Sequence, residues 1–410
     1  MSDLKPNKRK IVNDPVYGFI NIPPGIVFDI IEHKYFQRLR RIKQLGLTYY
    51  VYPGAIHNRF QHVLGAMHLT KSAIDILRYK GNIITEEEEE AVIIAVLLHD
   101  IGHGPFSHAL EHSIVENISH EEISLIFMKN LNQEFNGKLS LAIKIFKNKY
   151  SKHFLHQLVS GQLDVDRLDY LKRDSFFTGV SEGVISSDRI IKMLNIHNDN
   201  LVVESKGIYS IEKFLIARRL MFWQVYLHKT VLSAEQLLVK ILNRAKELTI
   251  NGELLFATPA LQYFLTSQKG IEDFKNDCAV IENFAKLDDY DIISSIKVWT
   301  EHSDIVLSTL CKGIVNRKLL KIKFQKQPFC ESELYQLKID LTEKLNISIK
   351  EAEYFVFTGE ITNNTYSPKD DKINILSNNG EIIDIAEASD MLNISVLSKI
   401  VKKYYLCYLS

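Results

Sequence analysis

The chain has 410 residues, of which 46% are hydrophobic and 24% are charged, as in a globular protein rather than a disordered or fibrous one. Its 50 Lys and Arg residues balance its 50 Asp and Glu residues, so overall charge gives no indication of binding to nucleic acid. Four widely separated cysteines without a CxxC pair, and apolar runs too short for a signal peptide or a membrane span, predict a cytoplasmic protein.

The first predicted elements are a β-hairpin and a series of helices. Residues 11–22 alternate in the manner of two strands around an Asn-Asp-Pro turn. From Val27 the apolar period becomes helical, and residues 59–79 predict a long helix. Thr85 and Glu88 have the spacing of a capping box, which places the start of another helix there.

The second half of the chain carries weaker signals. Helical periodicity continues to about residue 248 and dominates again in 250–345, whereas segments near 354–357, 373–376 and 382–385 are β-like. We therefore predict a mostly α fold with a core unit, residues 1–248. The remaining unit, residues 249–410, is predicted to combine a helical extension with a small mixed α/β region.

A first chemical signal follows the apolar run 91–98, which predicts a buried helix. His99 and Asp100 come directly after it, and an imidazole and a carboxylate at a buried helix end need a partner. A divalent metal would provide one, and a hydrogen-bonded His–Asp pair is the alternative. The density of histidines between residues 57 and 120 favours the metal.

A second signal lies between residues 164 and 174. Asp166, Tyr170 and Asp174 are spaced i, i+4 and i+8, which places them on one face of a helix. Arg167 and Arg173 flank this face, so a salt-bridged structural helix is the alternative to a site that binds a metal or a ligand.

Four segments together resemble the HD-domain phosphohydrolases. They are residues 59–62 (RFQH), 99–108 (HDIGHGPFSH), 120–121 (HE) and 164–170 (DVDRLDY). Residues 13–18, 36–45 and 50–55 extend the resemblance to the deoxynucleoside triphosphate triphosphohydrolases, a group that includes the vertebrate SAM-and-HD-domain enzyme and bacterial relatives. No counterpart of the SAM domain is recognised in this sequence, so the function of that module does not transfer.

The resemblance implies a helical HD fold that hydrolyses a deoxynucleoside triphosphate to deoxynucleoside and inorganic triphosphate. It also implies one divalent ion, for which Mn, Fe, Ni, Zn and Mg are all compatible, with further Mg accompanying the nucleotide. The implied metal ligands are His62, His99, Asp100 and Asp166.

The same resemblance assigns catalytic and substrate-binding residues. For proton transfer and phosphate contact it implies His103, His108 and His120, with Glu111 orienting His108 where the family often has an aspartate. For the phosphates it implies Arg59, Arg167 and Arg218; Arg59 lies one helical turn before His62. For the sugar and base it implies Gln44, Leu45, Tyr170, Asp174 and Tyr226. A surface arginine at position 218 and an ordinary helix end at residues 44–45 are the alternatives, and His57, His68 and His112 are interpreted as structural.

Some relatives form oligomers with regulatory nucleotides between subunits, which predicts a homodimer or homotetramer here. The residues at corresponding positions are Glu32, Gln37, Arg40, His228 and Lys229. A core helix with solvated arginines is the alternative for residues 36–40. Two other functions remain open: an HD phosphodiesterase or nuclease acting on another nucleotide or a single strand, and a nucleotide-sensing module without turnover.

Overall fold

A computed structural model describes residues 10–106, 115, 118–363, 366, 372–389 and 401–409. Within these residues the chain is mainly helical, with 19 α-helices and nine β-strands. The mostly α fold with a small N-terminal hairpin and a mixed C-terminal region is thereby confirmed. Each described helix is too short or too polar to cross a membrane.

The first 250 residues contain the hairpin, a second pair of strands and eleven of the described helices. The strands are β1 Lys10–Asp14, β2 Gly18–Ile22, β3 Leu194–His197 and β4 Asn200–Glu204. The helices are α1 Ile26–Glu32, α2 Lys34–Gln37, α3 Arg59–Tyr79, α4 Glu86–Leu98, α5 His120–Glu134, α6 Ser140–Phe146, α7 His153–Val159, α8 Val165–Thr178, α9 Ser187–Met193, α10 Ile208–Met221 and α11 Lys229–Ile250.

Local capping positions the helices that carry the site. Asn58 begins α3, and Thr85 begins α4, each through a capping box with the third helical residue. The bounds predicted for α3 are therefore confirmed, as is the start of α4. Helix α4 is buried along almost its whole apolar length and packs between α3 and α6, so its C-terminal end points into the interior.

Two predicted stretches differ from the structure. The helical period after Val27 is divided into α1, α2 and a 3-10 turn at Arg38–Arg41, because His33 adopts an extended backbone between α1 and α2. The helical structure predicted to continue to about residue 248 is interrupted by the β3–β4 hairpin. Its turn residues Asn198 and Asp199 both have positive φ angles, the backbone of a tight two-residue hairpin turn.

The C-terminal region contains the remaining elements. The helices are α12 Pro259–Leu265, α13 Ile271–Asn276, α14 Cys278–Lys286, α15 Asp289–Trp299, α16 Ile305–Val315, α17 Glu331–Leu345, α18 Ile349–Ala352 and α19 Ile385–Ala388. The strands are β5 Lys321–Gln325, β6 Phe357–Asn363, β7 Asn374–Leu376, β8 Ile382–Asp384 and β9 Val401–Tyr408. The β-like signal near residue 354 is thus displaced, since β6 begins at Phe357.

The C-terminal strands form two sheets, one of which includes the β3–β4 hairpin. That sheet has the order β3-β4-β7-β8, and β4 pairs with β7 in parallel, whereas the other has the order β5-β9-β6. Strand β7 of the predicted second unit therefore extends a sheet that begins in the predicted first unit. The division at residues 248 and 249 remains a prediction, and α11 runs across it to Ile250.

Candidate metal and nucleotide site

His62, on the first turn of α3, is held by a buried network. Its Nδ1 lies 2.7 Å from Asp169 Oδ2, and Arg173 donates to both oxygens of that carboxylate at 2.9 and 3.0 Å. Arg173 also donates to Asp14 at 2.7 Å, and all four side chains are buried. With a carboxylate accepting from Nδ1–H, the lone pair of the neutral His62 ring lies on Nε2, the arrangement of a metal-binding histidine.

The network depends on a glycine one turn further along α3. A Cβ at Gly65 would collide with the Asp169 carboxylate and the Arg173 guanidinium. Only glycine lets α3 and α8 approach closely enough at this point for the Asp169–His62 contact to form.

His99 and Asp100 follow the last residue of α4. His99 Nδ1 is 2.5 Å from the carbonyl oxygen of Val96, so its Nε2 faces Asp100 Oδ1 at 3.3 Å and Asp166 Oδ1 at 3.6 Å. The other Asp100 oxygen accepts from Arg59 Nη1 at 2.5 Å, while Oδ1 lies 3.2 Å from His103 Nε2. The end of helix α4 therefore places His99 and Asp100 beside the start of α3 and beside α8.

Three of the four predicted ligands form a compact group. One ligand atom each from His62, His99 and Asp166 lies within 4.8 Å of the others, with Asp166 Oδ1 at 3.0 Å from His62 Nε2. Asp100 lies beside this group, its Oδ2 3.8 Å from His62 Nε2. Asp100 is also engaged by Arg59, so it is less free to turn toward an ion than Asp166.

The donor set fits a divalent cation. Among the described residues, neither His62 Nε2 nor His99 Nε2 has a hydrogen bond of acceptable geometry, although both atoms are buried. Burial opposes protonation, but the Asp166 and Asp169 carboxylates raise the pKa of His62 to about 10. Asp100 and Asp166 likewise raise the pKa of His99 to about 9 against burial. The carboxylates thus favour positive charge at the two Nε2 atoms, and a metal ion would supply that charge in place of protons.

A cavity of about 730 Å³ opens beside this group. Its wall contains the metal-side residues His99, Asp100 and Asp166, the histidines His103 and His120, and the predicted substrate residues Gln44, Leu45, Arg59, Arg167, Tyr170, Asp174 and Tyr226. The i, i+4, i+8 face of α8 is thus the face that lines the cavity.

Known proteins resemble the chain over this same region. An HD domain model matches residues 59–174, and an HD-associated region model matches residues 185–257. The uncharacterised protein YwfO of Bacillus subtilis is 32% identical over 400 residues, which cover 94% of this chain and 89% of that protein. A phosphohydrolase crystal structure from Bacteroides thetaiotaomicron has a TM-score of 0.95 and 58% identity, covering 98% of this chain and 100% of that one.

The chain belongs to the HD-domain phosphohydrolases. A further relative of this phosphohydrolase is human deoxynucleoside triphosphate triphosphohydrolase SAMHD1, 31% identical over 264 residues. That match covers 54% of this chain and 42% of the human protein.

Arg167 lies at the metal edge of the phosphohydrolase cavity. Asp164 caps α8 by accepting from the Arg167 backbone N–H at 2.7 Å, and its other oxygen pairs with the Arg167 guanidinium. Arg167 Nε has no hydrogen-bond partner among the described residues. Asp164, which the sequence did not single out as a separate functional residue, therefore holds Arg167 in place with a donor left for a ligand.

Asp174 is anchored from two sides. His57 Nε2 lies 2.8 Å from one carboxylate oxygen, and the Tyr226 hydroxyl donates to the other at 2.8 Å. His57 is fully enclosed and stacks on Phe177 with ring centroids 4.4 Å apart. The interpretation of His57 as structural is therefore incomplete, because this buried histidine orients Asp174, a residue of the cavity wall.

Arg218 and Tyr226 do not share a regular helix. Helix α10, which carries Arg218, ends at Met221, and Tyr226 is the last residue of the π-helical turn Phe222–Tyr226 that follows. Tyr226 lines the cavity, whereas Arg218 is not among its lining residues. Burial lowers the pKa of Arg218, and the neighbouring Tyr170 hydroxyl opposes that shift.

The remaining predicted catalytic residues divide into two groups. The His103 and His120 rings stack with centroids 3.9 Å apart. Burial and the Arg59 guanidinium hold the pKa of His103 well below its usual range, so His103 is neutral at neutral pH. The predicted proton donor His108 and its partner Glu111 lie outside the described residues, as does His112.

The residues predicted for a regulatory nucleotide have local partners. Glu32 pairs with Lys10 at 3.4 Å, and Arg40 donates to Gln37 Oε1 at 2.8 Å. His228 caps α11 by accepting from the Thr230 N–H at 3.2 Å, and Lys229 is the first residue of that helix. A regulatory site built from these residues remains a prediction.

Arg38 supports the backbone that follows His99 and Asp100. Its fully buried guanidinium donates to the carbonyl oxygens of Ile101 and His103 at 2.7 and 2.6 Å. The guanidinium carbon also lies 5.0 Å from the Phe284 ring centroid. No sequence pattern distinguished Arg38 from its neighbouring arginines, because its partners are backbone atoms more than 60 positions away.

We expect Arg38→Met to lower the free energy of unfolding by on the order of 3 kcal/mol, because two buried carbonyl groups lose charged donors. Arg41→Met is the matched control, since Arg41 is 44% exposed and its ion pair with Asp288 contributes at most about 1 kcal/mol. Urea unfolding of the two variants measures the difference. Equal destabilisation by both changes would contradict the role assigned to Arg38.

Proposed function

We propose that this phosphohydrolase hydrolyses deoxynucleoside triphosphates to deoxynucleoside and inorganic triphosphate. The observation that carries the proposal is a single cavity that borders the metal-ligand group and contains both cationic and sugar-binding side chains. Arg59 and Arg167 supply positive charge near the ligands, while Gln44, Tyr170 and Asp174 supply polar groups for a sugar. A nucleoside triphosphate needs these features together.

In this proposal one divalent ion would be held by His62, His99, Asp100 and Asp166. An ion held there would supply Lewis-acid chemistry for a phosphoryl oxygen and for the attacking water. Asp169 keeps His62 in the correct tautomer, and Arg59 both neutralises Asp100 and faces the phosphates.

The departing 5′-oxygen requires a proton. His103 is a poor donor because it is neutral, which leaves it suited to hydrogen bonding with Asp100 and to stacking on His120. His120 also lines the cavity, and in this proposal it contacts a phosphate. Proton donation by His108, oriented by Glu111, is retained as part of the proposal from the family resemblance.

The reaction is tested by incubating the purified protein with each deoxynucleoside triphosphate in the presence of Mn²⁺ or Mg²⁺. Phosphate products are separated by anion-exchange chromatography. Inorganic triphosphate with free deoxynucleoside supports the proposal. Pyrophosphate with a nucleoside monophosphate would contradict it and indicate cleavage at a different bond.

Selection of the deoxy sugar forms a separate part of the proposal. We expect kcat/KM for GTP to be at least about 100-fold below that for dGTP, because a 2′-hydroxyl would be buried against Gln44, Leu45 and Tyr170 without a matching partner. Asp174→Asn should reduce the preference for dGTP over GTP in kcat/KM. The amide has one oxygen in place of two, so it cannot accept from both His57 and Tyr226 in the same geometry.

Asp188→Asn is the control for that measurement because Asp188 is exposed on α9. Comparable kcat/KM values for GTP and dGTP in the unmodified protein would refute the sugar assignment and leave the metal site untouched.

We also propose a homo-oligomer, a dimer or tetramer, in which Glu32, Gln37, Arg40, His228 and Lys229 contribute to nucleotide sites between subunits. Light scattering with and without dGTP tests the assembly. A monomer under both conditions would contradict it.

A further inference from the structure

Glu235 is a carboxylic acid in the wall of the cavity. It lies on the second turn of α11, is half-buried, and lines the same cavity as the metal-side residues. Within the described part of the chain it makes no hydrogen bond and no ion pair, and burial alone raises its pKa to about 7. Among the described residues nothing donates to this half-buried carboxyl group, so a ligand in the cavity would supply a donor that the wall lacks.

The surroundings of Glu235 place it away from the metal ligands. Helix α11 packs against the 3-10 turn Thr48–Tyr50 and against the π-helical turn Phe222–Tyr226. Thr48, Phe222 and Tyr226 from these turns also line the cavity, and Tyr226 is the residue that holds the sugar-side Asp174. The metal ligands come instead from α3, α8 and the end of α4. Glu235 therefore belongs to the part of the cavity wall that continues from the proposed sugar-binding residues, on the side away from the metal ligands.

This part of the wall suits a nucleobase. The Phe222 and Tyr226 rings are 5.4 Å apart in an edge-to-face arrangement, so they offer aromatic surface to a planar ring. A carboxylate in the wall of the same cavity accepts hydrogen bonds on both oxygens and donates none. Among the four bases, guanine alone presents two adjacent donors, its N1–H and its 2-amino group. Adenine and cytosine present one donor beside an acceptor, and thymine presents one donor between two acceptors.

We propose that Glu235 reads the base of the substrate by accepting both hydrogen bonds from the Watson–Crick edge of guanine. This inference rests on the proposed hydrolysis of deoxynucleoside triphosphates and names the preferred substrate of that reaction. The phosphates would then bind near Arg59 and Arg167, and the guanine would bind between the π-helical turn and α11.

The test compares kcat/KM for dGTP, dITP and dATP at pH 8, where the carboxyl group is ionised. The unmodified protein should prefer dGTP over dITP, which lacks the 2-amino group, by about 10-fold, and over dATP by roughly 10- to 100-fold. Glu235→Gln should lower kcat/KM for dGTP by roughly 10- to 100-fold while changing that for dATP by less than about 3-fold. Glu253→Gln, the same change at an exposed site on the loop after α11, should alter neither ratio.

The outcomes separate this inference from the proposed function. If all deoxynucleoside triphosphates are hydrolysed and Glu235→Gln leaves the dGTP to dATP ratio unchanged, the base-reading role is wrong and the proposed function stands. If no deoxynucleoside triphosphate is hydrolysed with any metal, both fail. The dITP comparison needs no variant, so equal kcat/KM for dITP and dGTP in the unmodified protein overturns the two-bond arrangement even if Glu235→Gln does not fold.

Discussion

Replacing Asp166 with alanine is expected to remove metal binding and turnover together. The carboxylate lies 3.0 Å from His62 Nε2 and 3.6 Å from His99 Nε2, so it supplies the anionic member of the ligand group. We expect metal content to fall from about one ion per chain to near zero, and kcat to fall by at least about 10³-fold. Elemental analysis and the triphosphate-release assay measure the two effects.

Asp75→Ala provides the control for this prediction because Asp75 is an exposed residue of α3, outside the cavity wall. A thermal melt of each variant checks that the fold is retained. Full activity of metal-stripped protein, or of Asp166→Ala, would show that the His62, His99 and Asp166 group does not hold a catalytic ion.

Replacing Asp169 with alanine should affect folding more than Asp166→Ala does. Asp169 is fully buried and pairs with both His62 and Arg173, so its removal leaves a buried guanidinium with Asp14 as its remaining ionic partner. Breaking one side of a buried ion pair costs about 3–5 kcal/mol. Asp169→Asn preserves the shape, and it should still weaken metal affinity by about 10- to 100-fold because His62 loses its orienting carboxylate.

Comparison of the two positions makes this second prediction specific. Asp166→Ala should lose the ion with little loss of stability measured in chelator, whereas Asp169→Ala should lose several kcal/mol in the same urea titration. Equal stabilities in chelator would mean that the Asp14–Arg173–Asp169 network does not support the fold.

Features that depend on neighbouring residues were predictable from the sequence. The capping residues Asn58 and Thr85 and the apolar periods behind them determine where α3 and α4 begin. The i, i+4, i+8 spacing on α8 placed Asp166, Tyr170 and Asp174 on one face, and the structure brings all three to the cavity. Such signals are local, because helix geometry alone relates the residues.

Features that depend on distant contacts were not predictable. Asp14 and Arg173 are 159 positions apart, and His57 and Asp174 are 117 apart, so no spacing rule relates either pair. The β3–β4 hairpin was missed because Leu201, Val202 and Val203 are all buried, so β4 lacks the alternation of apolar and polar residues that marks a half-buried strand. The π-helical turn depends on one extra residue per turn, which leaves no mark in the order of side-chain types.

The position of Asp14 gives the N-terminal hairpin a part in ion binding. One oxygen of Asp14 accepts from the backbone N–H groups of Val16 and Tyr17 and so shapes the turn between β1 and β2, while the other accepts from Arg173. Closure of the hairpin and orientation of His62 are therefore linked equilibria that favour each other. A proteolytic cut or a binding partner that opens the hairpin would lower the affinity for the cation, and cation binding would by the same factor hold the hairpin closed.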